Sequence, residues 1–251
     1  MMADRSDDLE LEIALRPSRE IADRTIVLGA VVRRVSLERQ TGETEDDAEA
    51  LRFDLAAWLH VEGLEPGASG HERGMLAARI GALSAEAIAA ASWQAEATIT
   101  LGWVLGMVDE MPSYDRPTDL AALLAAIPSP WESTVPFRSR PIARSETTIA
   151  NERERAELWH WRSEVAGLMQ TANHGGRGSL RAAVREVAHE AHAFGHLPSL
   201  RDDDFAVADR PYHNLPDREL DELGAIAAAR LQALNWVCGF GEDWDSVPLQ
   251  L

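Results

Sequence analysis

The chain contains no lysine: all 24 of its basic residues, in 251 positions, are arginine. Without an ε-amine there is no P-loop lysine to hold a phosphate, no Schiff base with pyridoxal phosphate, and no catalytic lysine of any other kind. Cysteine is nearly absent as well. The single copy, Cys238, forbids an internal disulfide and a cysteine-rich zinc site, and its position close to Trp236 suggests a packed thiol rather than a nucleophile. Long hydrophobic runs are missing. The longest uncharged apolar stretch, 97–108, falls well short of the roughly 20 residues that a bilayer span needs, and Glu96 stands immediately before it. Residues 1–12 are acidic and lack the basic start and apolar centre of a secretory signal, so a cytoplasmic protein is expected.

Positive charge is scarce relative to negative. Against 24 arginines stand 42 acidic residues, for a net charge of −18. Like charge repels a phosphate backbone and an anionic lipid surface at long range, so neither nucleic acid nor membrane is expected as a direct partner. A basic protein surface or a cation would complement the charge, although acidity also serves simply to keep a protein in solution. Nothing in the residues speaks to oligomeric state.

What is present is helical periodicity. The stretch 85–110 is apolar around its whole circumference, with Ser84 as N-cap, Glu86 in the first turn and Pro112 beyond the end, and it is expected as one continuous buried central helix. Ahead of it, Pro17 and Ser18 open a helix with Ile21, Thr25, Leu28, Val32 and Val35 on its inner seam, running to Gly42. Thr44 and Asp47 form a variant capping box for the next, with Leu51, Leu55, Trp58 and Leu59 inward, and 71–83 is a third. Further helices are expected at 120–127, 148–172, 179–196, with Ser179 as cap, and 217–239, with Gly239 as the residue after the end. Alternation at Leu9, Leu11, Ile13 and Leu15 reads as a short strand whose expected partner is 204–208. Residues 128–147 carry four prolines and are expected as a connector lying on the surface. The helices after it are too few and too polar to bury a core of their own. The expected fold is therefore all-α, a single-domain helical bundle of residues 1–251 around the buried central helix, with at most a small two-stranded ribbon.

Several groups carry possible chemistry. Glu96 lies in the apolar helix near one line with Trp93, Thr100 and Trp103, where a bare carboxylate costs several kcal/mol unless it is paired or protonated. In a chain without lysine the partner is an arginine fork or a hydrogen-bonding side chain. Arg230 and Asn235 are polar residues embedded in the last apolar helix, and Arg230 is expected to meet Glu96. Asn235 is expected to tie the 239–245 tail back onto the helix through backbone groups, with Trp236 and Trp244 covering the join. The constellation is either a structural core pair or the floor of a ligand pocket.

Metal ligands are a weaker alternative. Glu157 with His160, and Glu186 with His189, repeat the Glu-x-x-His spacing of di-iron bundles, but chance alone supplies about one such pair in a chain this rich in both residues. His189, His192 and His196 share a stripe whose outer members lie about 10 Å apart along the axis, too far to converge readily on one ion. The 174–178 segment, HGGRG, follows a helix and no strand, so it does not make a nucleotide fingerprint. No cofactor is expected and no catalytic set stands out.

The segment RLQALNWVCGFGEDWDSVP, with Arg230, Ala233, Leu234, Asn235, Trp236, Gly239, Trp244 and Asp245, resembles a bacterial family, domain of unknown function 4272. The pattern Trp93, Glu96, Leu101, Trp103, Leu105 and Gly106 is similar to that family's central helix, and 19–28 to its first, while 128–217 matches poorly. The chain departs from the family at its end, closing Pro248, Leu249, Gln250, Leu251 where members commonly close with Asp-Thr. The resemblance implies membership and brings no reaction, cofactor or ligand with it. The expected function is that of a non-enzymatic acidic protein that binds a basic protein partner, as an immunity protein or antitoxin does. The alternative is a small-molecule or metal-binding enzyme with a pocket near Glu96 and Arg230.

Overall fold

The computed structural model describes residues 13–39 and 44–250. Helix α1 (Ser18–Leu37) starts behind Pro17, and α2 (Glu45–Val61) starts behind Thr44, whose hydroxyl accepts from Asp47 N. A reciprocal capping box between Ser69 and Glu72 opens α3 (Gly70–Ala77), which is shorter than the expected 71–83. Two helices follow, α4 (Ala85–Ser92) and α5 (Gln94–Val104), where one continuous helix was expected over 85–110. The break falls at Trp93, and the end comes at Gly106 rather than Pro112. Gly106 adopts φ 67°, and Gly106 N and Met107 N close back on the carbonyls of Trp103 and Gly102 at 3.0 and 2.8 Å. That is the left-handed stop that only glycine adopts without strain. The burial also differs from expectation. Every residue of α5 from Ala95 to Val104 is buried, whereas α4 buries only Ala91, because an alanine-rich surface is apolar in composition yet has little side-chain area to withdraw from water.

Helices α6 (Leu120–Ala126) and α7 (Val135–Arg138) precede the long α8 (Glu146–Thr171). The proline-rich connector is anchored along its length. Arg138 pairs with Asp23 of α1 at 2.6 Å, Trp58 Nε1 donates to Glu132 O at 3.2 Å, and Arg144 lies over Trp103 while donating to Trp103 O at 3.2 Å and Val108 O at 2.6 Å. Helix α9 (His174–Ala193) begins earlier than expected because Asn173, not Ser179, is its cap, accepting from Gly176 N at 2.8 Å. The HGGRG segment is thus the first turn of a helix rather than a loop.

Within 197–216 the chain forms a three-stranded antiparallel sheet, β1 (Leu200–Arg201), β2 (Asp204–Val207) and β3 (Arg210–Pro211). Leu200 faces Phe205 and Ala206 faces Pro211. The expected pairing of 204–208 with the N-terminal segment does not occur. Asp202 and Asp203 turn through φ 49° and 60°, so β2 finds its partner two residues away, at minimal loop entropy. Residues 9–12 of the expected strand lie outside the described residues. The part that is described, 13–17, docks instead on the end of α10 (Asp217–Val237), with Ala14 N and Arg16 N donating to Cys238 O and Val237 O at 3.2 and 2.9 Å.

The architecture is mostly helical, with α1 on α5, α5 on α10, α10 on α8 and α8 on α9. One continuous buried cluster joins Ile21 and Leu28 of α1, Leu101 of α5, Trp159 of α8, Phe205 of β2 and Leu234 of α10. No helix among the described residues is long and apolar enough to cross a membrane.

The junction of 13–17 with α10 depends on Gly239, at φ 90°, where an added Cβ would sit 2.7 Å from Ala14 O. Gly239→Ala is expected to cost about 1 to 3 kcal/mol through left-handed strain plus that collision, read as a lower urea midpoint with an unchanged slope.

Candidate functional site

Helix α5 carries Glu96 in its first turn and α10 carries Arg230 on its buried face, so the crossing of these two helices sets the pair. Arg230 Nε and Nη2 donate to Glu96 Oε2 at 3.0 and 2.7 Å, across 134 residues of sequence. Thr118 completes the carboxylate, its backbone N–H donating to Oε1 at 2.6 Å and its hydroxyl to Oε2 at 2.9 Å. Arg230 Nη1 donates to Pro112 O and to Ser113 O at 3.2 Å. Glu96 is 2 % exposed and Arg230 fully buried, yet every charged atom is occupied, which is the condition for tolerating such a pair in a core. The Arg230 guanidinium also lies over the Tyr114 ring at 4.7 Å.

Tyr114 links that pair to a cleft. Its hydroxyl donates to Glu152 Oε1 at 3.0 Å, its ring stacks on Trp159 at 5.8 Å, and Arg155 Nη1 holds Glu152 Oε2 at 2.8 Å. The cleft, about 270 Å³, is walled by Tyr114, Asp115, Glu152, Arg155, Trp159 and His196. Burial pushes the Glu152 carboxyl above its ordinary range, against the opposing pull of Arg155 and Tyr114. Burial, helped by the Glu152 charge, raises the Tyr114 hydroxyl further still. A largely desolvated carboxyl between a tyrosine hydroxyl and an arginine is able to hydrogen-bond with a polar ligand. On its other side Glu96 borders a second hollow of about 270 Å³ with Trp93, Pro117 and Thr118.

The remaining residues singled out from the sequence are distributed. The Asn235 side chain accepts from Arg153 Nε at 2.7 Å and donates to Pro248 O at 2.7 Å, so it ties down the tail at Pro248, while within 239–245 it is the Asn235 backbone carbonyl that accepts, from Phe240 N at 3.0 Å. Trp244 O is instead held by Gln232 at 3.0 Å. Trp236 and Trp244 meet edge to face at 5.6 Å, with Arg16 and Arg24 over their rings at 4.6 and 4.3 Å. Asp245 is exposed, and its charge lies near enough to Arg24 to favour that guanidinium. Trp103 is two turns along α5 from Glu96, under Arg144, and does not share a site with Trp93. Cys238 is buried, and burial pushes its thiol up to about 11, which suits packing and not nucleophilic attack.

The two Glu-x-x-His pairs do not converge. Glu157 is bonded to Arg153 at 3.3 Å and borders, with His160, Glu164 and Leu249, a shallow groove of about 460 Å³ that does not include Glu186 or His189. His189 faces Asp203 at 2.8 Å on the exposed side of α9. Among the described residues no group of three or more His, Cys, Asp or Glu is placed to hold a metal ion.

Thr118 and Glu152 are not among the residues singled out from the sequence, the second because it stands among the many charges of α8. A signal for the second was available in the scarcity of tyrosine. The chain has two, and each is buried under an arginine, Tyr114 under Arg230 and Tyr212 under Arg162.

The family model described as Domain of unknown function (DUF4272) matches residues 8–190. No curated protein and no solved structure matches the chain. The matched span runs from before α1 into α9. It therefore includes most of the 128–217 region that the resemblance had set aside, and it ends before Arg230, Asn235, Trp236, Trp244 and Asp245.

Proposed function

We propose that this chain, which belongs to the DUF4272 family, acts in the cytoplasm as a non-enzymatic protein presenting an acidic face to a basic protein partner, as an immunity protein or antitoxin does. The observation that carries this reading is Trp131, which is 56 % exposed and held at φ 69°. A left-handed backbone at a bulky residue costs about 1 to 3 kcal/mol, and an indole more than half exposed to water recovers only part of that by burial. Binding surfaces are where tryptophan is enriched and where such strain is tolerated. Exposed Val61 and Val135 lie on the same two segments, which are joined by the Trp58 to Glu132 bond and by Thr134 on Glu62. Asp54, Glu62, Glu65 and Glu132 belong to these segments and supply negative charge. Together with the net charge of −18 they favour a basic partner by electrostatic steering.

A photo-crosslinking side chain at Val135, irradiated in extracts of the producing cells, tests this. The expected result is a discrete adduct with one basic protein, with a yield that falls as ionic strength rises and falls again when Trp131 is replaced by Ser. Equal labelling from a control position at Arg201, or a yield indifferent to Trp131→Ser, would overturn it.

A second reading, a small-molecule site in the cleft above Arg230, is favoured by Glu152. A carboxyl whose folded pKa is raised contributes stability that is present below its unfolded pKa and is lost as pH rises through the folded value. Glu152→Gln, which does not titrate, is therefore expected to gain on the wild type in melting temperature as pH climbs above about 4.3, the ordinary glutamate value. A difference that stays flat with pH would remove the raised carboxyl and this reading with it.

A further inference from the structure

Arg162 of α8 is fully buried, and Asp204 of β2 takes only two of its three nitrogens, Nε and Nη2, each at 2.7 Å. The Tyr212 ring covers the guanidinium face at 4.3 Å, which occupies the π surface and leaves the in-plane donors of Nη1 unused. Nη1 is buried with no hydrogen-bond partner. An orphaned guanidinium donor is costly in a core and ordinary at the wall of a binding site, where a ligand completes it.

Arg162 lines two adjoining hollows, of about 430 and 350 Å³. They share Met169 of α8, Arg181 of α9, and His213 and Asn214 after β3, so they form one groove between α8, α9 and the sheet. Its α9 wall is a row of arginines. Arg177, Arg181 and Arg185 stand at four-residue spacing, all exposed, where like charges on one helical face repel one another. Of the four acidic residues that line the hollows, Asp203 and Asp204 are held by cations, and Asp202 and Asp217 are not. Asp204 is held by Arg162, by Phe205 N at 2.8 Å, and by His213 through its backbone N–H at 3.0 Å and Nδ1 at 2.9 Å. Asp203 takes His189 at 2.8 Å and Arg185 at 3.4 Å. Asp217, at the far end, accepts from Gln170 at 3.2 Å. Arg177 donates to Ala172 O at 3.0 Å and more weakly to Gln170 O at 3.4 Å, which uses no carboxylate, and Arg181 has no ion-pair partner among the described residues. Arg185 is neutralised by Asp203 and Arg162 by Asp204, so the positive charge facing the groove comes from Arg177 and Arg181, offset in part by Asp217, in a chain of net charge −18.

We infer that this groove binds a small oxyanion, a phosphate ester or a carboxylate, with its charged head between Arg162 Nη1, Arg177 and Arg181 and its apolar body against Ala166, Met169 and Leu220. Guanidinium donors in a fixed fork match the geometry of either anion. A polyanion does not fit, because exposed Asp202 and Asp217 and the charge of the whole chain repel anything that extends beyond the groove.

Isothermal titration of the full chain at low ionic strength, with inorganic phosphate in one arm and succinate in the other, tests the assignment. At least one anion should bind saturably at one site, and Arg177→Ala and Arg181→Ala should each weaken it about tenfold. Both arginines are exposed, so the variants should keep the wild-type circular dichroism, and Arg210→Ala, an exposed arginine paired with Glu219, should leave binding unchanged. Binding of phosphate alone identifies a phosphoryl ligand, and binding of succinate alone a carboxylate. No saturable binding in either arm, or binding indifferent to both replacements, overturns the inference.

Discussion

Replacing Arg230 by Met is expected to destabilise the protein by about 3 to 5 kcal/mol, the usual cost of leaving one member of a buried ion pair without the other. The loss has three parts in this structure. Glu96 would retain only Thr118, while the carbonyls of Pro112 and Ser113 would lose the Nη1 donor, and Tyr114 would lose the cation over its ring. Urea denaturation reads it directly, as a lower midpoint at unchanged slope. Glu96→Gln in the wild-type background should cost less, since the amide oxygen still accepts a bond. Combining it with Arg230→Met should recover part of the single-variant loss, because the two groups compensate one another. A loss for Arg230→Met of only about 1 kcal/mol or less, the range of exposed ion pairs, would show that water reaches Glu96.

Asp204→Ala should be comparably severe, at about 3 to 5 kcal/mol. This one carboxylate ties the sheet to α8 and to the turn after β3, accepting from Arg162 twice, from Phe205 N, and from His213 through both its backbone N–H and its ring. Its removal leaves a wholly buried guanidinium with no counter-charge. Burial by itself pushes the Asp204 carboxyl up, but the bonds from Arg162 and His213 outweigh it and hold the group below its ordinary value. A depressed carboxyl contributes stability that is present above the unfolded pKa and is lost as pH falls through the folded one. The gap between wild type and Asp204→Ala in denaturation midpoint should therefore be widest near neutrality, narrow below about pH 4, and close only at stronger acid. A gap constant down to strong acid would mean that the charge of Asp204 is not what binds β2 to α8.

The two pairs differ in how far the residues alone lead to them. Glu96 announces itself as one carboxylate in an apolar run, and in a chain without lysine its cation has to be arginine; Arg230, set in the apolar face of the last helix, is the natural partner. Arg162 and Asp204 give no such signal. Arg162 stands in a helix dense with charge, where it reads as one more solvated side chain, and Asp204 reads as the first residue of the 204–208 strand, after two other acidic residues. Only the hairpin turn at Asp202 and Asp203 brings the carboxylate under α8. Glu152 was obscured for the same reason as Arg162. The break at Trp93 was hidden by a run of alanines that scores as apolar without having much surface to bury.

Residue order suffices for the helical class, for the helix starts whose caps stand out, as at Thr44 and Ser84, and for the rule that a carboxylate placed in an apolar helix must find a guanidinium, because these follow from local periodicity and from the cost of burying charge. Which of 24 arginines answers which carboxylate is not a local property. Partners separated by 134 positions, and an arginine row that faces an orphaned guanidinium across a groove, arise where helices pack on one another. Side chains there are chosen by packing and by the completion of hydrogen bonds, and no short window of sequence contains both halves of that choice.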